Sequence, residues 1–131
     1  MTPFELFILY VVFRLKHLMC DFMLQSDWMA LNKGKPGSTG YKALIAHTGI
    51  HSVGTLLVML IFAPALWWLA IIDLLVHSLV DRFKGVLTFK KGWKAKDTMF
   101  WWAFGIDQEL HNLTHIVFVV MIFAHKGGFL S

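Results

Sequence analysis

Four apolar stretches dominate the chain: Phe4 to Leu24, Ala43 to Phe62, Pro64 to Phe83 and Met99 to Ala124. Each runs for ~20 residues or more, which at ~1.5 Å of helical rise per residue covers a hydrocarbon core of ~30 Å. The pattern predicts an all-α fold: one domain over residues 1–131, an integral membrane up-down bundle of four transmembrane helices. The second and third stretches meet at Phe62-Ala63-Pro64-Ala65 with no polar loop between them. One continuous helix there would be ~60 Å long, too long for a single crossing. The chain is therefore expected to reverse sharply, with Pro64 in the first turn of the third helix, or else to kink inside the membrane. Between the first two stretches, Ser26 or Asp27 can cap a short interfacial helix ending at Asn32. Gly34, Pro36, Gly37 and Gly40 then mark an irregular loop.

Composition agrees with a lipid environment. Hydrophobic residues make up 57% and charged residues 15% of the chain, where soluble proteins carry about 45–50% and about 25%. The basic residues set the orientation: all except Arg14, Lys16 and Lys126 fall between Lys33 and Lys42 or between Arg82 and Lys96. Both segments lie on one side of a four-crossing protein, so that side is expected to be cytoplasmic and both termini external. The net charge of +4 then reflects loop asymmetry rather than a nucleic-acid surface. A single cysteine, Cys20, excludes an intramolecular disulfide and a cysteine-based zinc finger. Glu5 ahead of the first apolar run, with Arg14 and Lys16 after it, is the wrong order for a cleaved signal peptide.

What changes the picture is the polar residues inside the apolar stretches. They recur in four-residue steps: His17 and Asp21; His47 and His51; Asp73, His77 and Asp81; Asp107, His111 and His115. A four-residue step is little more than one helical turn, so each set lies on one face. The sets also agree in depth. His17, Asp21, His77 and Asp81 come late in helices running toward the basic loops, and His47, His51, Asp107 and His111 come early in helices running away from them. Up-down folding brings all of them to one level, ~5–15 Å below the basic face. An Asp at the centre of a membrane helix costs about 2.5–3.5 kcal/mol, so such a cluster has to be paired, hydrated or bound to a cation.

Imidazole with carboxylate suits a divalent transition metal such as zinc, manganese or iron, and helical bundles hold such sites between facing helices. His17, His47, His51, His77, Asp107 and His111 are the expected ligands. Asp21 and Asp81 are the expected proton acceptors, with Gln25 and Lys84 reaching a substrate. His115 and His125 are expected to make structural hydrogen bonds, Arg14 and Lys16 to snorkel or pair with an acid, and Asp73 either to pair with His77 or to act as a ligand.

The run His17-Leu-Met-Cys-Asp21-Phe-Met-Leu-Gln25, followed by Asp27-Trp-Met-Ala30 and Lys33, resembles a family of small bacterial and phage membrane proteins of unknown function. His47 with His51, His77 with Asp81, and Asp107-Gln108 with His111 match the later polar positions of that family, so the likeness spans nearly the whole chain. The resemblance implies a bacterial inner-membrane location but no reaction. The chain is also faintly similar to inner-membrane proteins regarded as candidate metal-dependent hydrolases. The expected function is thus a membrane-embedded metal-dependent hydrolase acting on a phosphoester or other lipid-soluble substrate from the cytoplasmic leaflet. The alternatives are a proton or ion relay, a haem-binding bundle, and a non-enzymatic phage or host interaction protein.

Overall fold

The computed structural model describes residues 1–127, and these are helical with no strand among them. Helix α1 spans Pro3–Leu18. Thr2 and Glu5 open it with a reciprocal cap, Glu5 N donating to Thr2 Oγ1 at 3.2 Å and Thr2 N to Glu5 Oε2 at 2.7 Å. Glu5 therefore serves the helix terminus and adds no charge to the interior. The helix runs on into a π-helical turn at Met19–Met23, closed by Leu24 N donating to the Met19 carbonyl at 2.8 Å. Ser26 caps the short helix α2, Asp27–Asn32, through Met29 N at 3.3 Å, as its sequence predicts.

Helix α3 spans Gly37–Phe62 and starts earlier than the apolar pattern implies. Gly40 lies inside it because the contact requires glycine: a Cβ there would collide with the Lys35 carbonyl and come within 3.0 Å of Arg82 Nη1. Ala63, at φ −155° and ψ 73°, ends α3 and reverses the chain. Pro64 opens a separate 3-10 turn, Pro64–Leu66, before helix α4 at Leu69–Lys91, so the expected reversal occurs and the kink does not. α4 outruns its apolar stretch by two turns and stops at Gly92, whose φ of +67° suits a residue without a side chain. Helix α5 spans Thr98–Lys126. The carboxy-terminal end at 128–131, expected to be external, lies outside the described residues.

The four long helices close a ring: α3 packs on α1 and α4, and α5 packs on α4 and α1. Its interior has two zones. Leu9, Phe13, Val58, Met59, Ala63, Leu66, Leu69, Phe118, Val119 and Ile122 form an apolar core at the end holding the amino terminus. Histidines and aspartates fill the other half, and the exterior is the reverse of a soluble protein's. Phe4, Ile61, Leu79 and Phe83 are 70–75% exposed, whereas His47 and His51 are 0% and Asp81 is 1% exposed. Judged by length and composition, α3 alone among the described helices is long and apolar enough to cross a membrane, with a mean hydropathy of 1.7.

Candidate metal centre

Four elements deliver the polar side chains to one place. α1 and its π turn bring His17 and Asp21, α3 brings His47 and His51, α4 brings His77 and Asp81, and α5 brings Asp107 and His111. All eight are buried. The rings of His51 and His77 are 3.8 Å apart at their centroids, and those of His77 and His111 stack at 3.6 Å and 10°. His17 stands 5.5 Å from His51 and 5.6 Å from His111. The common depth expected from the sequence is therefore a common site.

Two carboxylates organise the imidazoles. Asp21 Oδ1 lies 2.8 Å from His51 Nε2 and 3.3 Å from His47 Nε2, and Asp21 Oδ2 lies 3.1 Å from His17 Nε2. Asp81 Oδ1 lies 2.9 Å from His111 Nε2, and its Oδ2 lies 3.1 Å from His47 Nε2. Gln108 joins three of these groups, donating to Asp21 Oδ2 at 3.0 Å and to Asp107 Oδ2 at 3.3 Å while its own oxygen sits 3.0 Å from His17 Nε2.

These contacts leave nitrogens unsatisfied. Both ring nitrogens of His77 and the Nδ1 atoms of His17, His47 and His51 are buried without a hydrogen-bond partner. An unsatisfied buried polar group costs about 1–3 kcal/mol, and a cation among the nitrogens would remove that cost. The geometry permits one. One ligand atom from each of Asp21, His47, His51 and His77 lies within 4.8 Å of every other, and the same holds for His77, Asp81 and His111. Asp21 and Asp81, expected as proton acceptors, thus stand inside these sets. Asp107 and His17, expected as ligands, stand beside them.

Two further stations flank the cluster. On its apolar side, Lys16 Nζ pairs with Asp73 Oδ2 at 2.9 Å, Thr55 Oγ1 donates to the same oxygen at 2.6 Å, and His115 Nε2 lies 3.4 Å from Lys16 Nζ. Asp73 is therefore engaged mainly with Lys16, His77 Nδ1 being 3.9 Å away, and Phe13 stacks on His115 at 5.2 Å. Arg14 points outward and donates to Asn112 Oδ1 at 3.0 Å.

On the other side a cavity of about 580 Å³ opens at the end of the bundle carrying the basic loops. Asp21, Gln25, Asp107 and Gln108 reach it from the cluster, Lys33 and Lys84 from the mouth, and Phe22, Leu31, Phe89 and Phe104 line its walls. Lys33 Nζ reaches Asp81 Oδ2 at 2.7 Å and Lys84 Nζ reaches Asp107 Oδ2 at 3.2 Å. Gln25 donates to the Asp21 carbonyl at 2.9 Å. Arg82 fastens the loop over the mouth by donating to the carbonyls of Lys33 at 3.1 Å and Lys35 at 2.8 Å. The loop lies directly on α4: a Cβ on Gly34 would sit 2.5 Å from the Gly85 carbonyl oxygen.

Sequence spacing misses Lys33, Thr55 and Gln108, whereas Lys16 pairs with an acid as expected. Lys33 reads as a topology signal, and only the direct neighbour Asp107 and its place in the family pattern mark Gln108. The chain belongs to the family described as Protein of unknown function (DUF3307), whose model matches residues 8–128. No curated protein and no solved structure matches it.

Proposed function

We propose that this chain is a membrane-embedded metal-dependent hydrolase, with α1, α3, α4 and α5 each crossing the bilayer, the basic loops cytoplasmic and the termini external. The apolar exterior around a polar interior supports the crossing, because hydropathy averaged over all faces of α4 and α5 includes the inward His and Asp residues. One observation carries the functional reading: buried histidine nitrogens without partners gather among carboxylates, two of which, Asp21 and Asp107, also line a cavity at the basic end.

His47, His51, His77 and His111, with Asp21 and Asp81, would hold the metal. When bound, such an ion lowers the pKa of a coordinated water toward neutrality. The remaining work falls to the chain. Asp107 borders the cavity, its Oδ1 3.3 Å from His111 Nε2 and its Oδ2 3.2 Å from Lys84 Nζ, and is the carboxylate placed to take a proton from an attacking water. Lys33 and Lys84 offer ammonium groups to an anionic head, and the aromatic walls accept an apolar tail. A phosphoester of a lipid entering from the cytoplasmic leaflet fits this combination.

The apolar core disfavours a relay across the membrane. Phe13, Met59, Leu69, Phe118 and Ile122 close the ring beyond the Lys16–Asp73 pair, with no polar group among them to carry an ion onward.

The reading is tested in detergent and in liposomes. Metal-loaded protein is expected to release the alcohol or phosphate from a lipid phosphoester. His47→Ala combined with His51→Ala, or chelation, should abolish that release. Metal retained with no turnover of any lipid phosphoester or related ester would remove the hydrolase and leave the metal centre.

A further inference from the structure

We infer that the centre holds two divalent ions rather than one, an arrangement suited to a phosphoester; the inference rests on the metal-binding reading above. The ligand atoms fall into two sets, Asp21 with His47, His51 and His77, and His77 with Asp81 and His111, and the sets share only His77. Neither is a remnant of the other: apart from the shared His77 on α4, the first draws on α3 and the π turn, the second on α4 and α5. Together they supply more donors than the about four that one zinc ion takes.

Asp81 joins the two. Its Oδ2 lies 3.1 Å from His47 of the first set, beside Lys33 Nζ at 2.7 Å, and its Oδ1 lies 2.9 Å from His111 of the second. A carboxylate that presents one oxygen to each group of nitrogens is the geometry of a bridging ligand. His77 lies between the groups, its ring 3.8 Å from that of His51 and 3.6 Å from that of His111. Neither of its nitrogens has a hydrogen-bond partner, nor does His47 Nδ1, although all are buried. One ion within the first set would leave His111 and Asp81 Oδ1 of the second without a metal of their own, Lys33 Nζ meeting Asp81 only at Oδ2.

Two ions about 3.5–4 Å apart clamp both the attacking and the leaving oxygen of an in-line displacement at phosphorus. That arrangement suits a phosphoester. The cavity agrees, because Lys33 and Lys84 border it beside Asp21 and Asp107.

The test is stoichiometry together with magnetic coupling. Full-length protein purified in detergent is stripped with chelator, reloaded with manganese(II), freed of excess metal and analysed for metal per chain and by electron paramagnetic resonance. Two equivalents with an exchange-coupled spectrum are expected. His111→Ala should retain one equivalent and an uncoupled signal, and so should His51→Ala, each having lost a different ion. One equivalent with an uncoupled signal in the unmodified protein would overturn the second ion and leave the metal centre standing, whereas no bound metal would overturn both. If His111→Ala fails to fold, Asp81→Asn serves in its place, and the unmodified protein still decides between one ion and two.

Discussion

Each long helix carries both halves of the interior on one face. In α1, Leu9 and Phe13 lead to His17 and then Asp21; in α4, Leu69 leads to Asp73, His77 and Asp81; in α5, Asp107, His111 and His115 lead to Phe118 and Ile122; in α3, His47 and His51 lead to Thr55, Val58 and Met59. The helical register does not change across the boundary, but the chemistry does. In the apolar half the side chains satisfy one another by packing, with nothing further needed. In the other half they pack just as tightly and still leave nitrogens without partners. The difference separates a part of the bundle that is complete as built from a part whose His and Asp groups could hold a metal ion.

That comparison can be broken most sharply at the boundary. Asp73→Ala strands the buried Lys16 ammonium and should destabilise the fold by about 3–5 kcal/mol, read from unfolding in detergent. Pairing it with Lys16→Met should recover much of the loss, because no charge is then left uncompensated. A double variant as unstable as Asp73→Ala alone would mean that the pair is not what holds this level together.

The next largest effect belongs to the polar half alone. Divalent transition metal at a hundred times its dissociation constant should stabilise the protein by about 2.7 kcal/mol. The gain should vanish in the protein carrying both His47→Ala and His51→Ala, and should shrink on acidification, since protons compete for the ligands. A melting temperature indifferent to metal would erase the distinction between the halves. The smallest effect belongs to the apolar half: Ile122→Val should cost about 0.5–1.5 kcal/mol, by the same amount with and without metal. A cost that depended on metal would show that the halves are coupled.

The site was legible in the sequence to the extent that it rests on helical periodicity. His17, His47, His77 and His111 lie four residues from further polar groups, and up-down folding alone places them at one depth. The Ser26 cap and the reversal before Pro64 were legible from local chemistry. The π turn at Met19–Met23 was not, because an i to i+5 bond leaves no mark in residue type, and that turn sets the direction in which Asp21 points. Nor was the early start of α3, where glycine reads as a breaker and is in fact required by contact with the Lys35 carbonyl. Lys33 escaped for a related reason. A long side chain at the mouth of a bundle finds its acid by reach, and no spacing along the chain records that Lys33 lies 2.7 Å from Asp81.

Metal analysis of the protein purified from cells and washed free of loosely held ions tests the central claim most directly. The account predicts at least one tightly held divalent transition metal per chain, lost when His47 and His51 are both changed to Ala and kept when His125 is changed to Ala. Less than about a tenth of an equivalent of any metal, with no rise after incubation with zinc, manganese or iron, would contradict it.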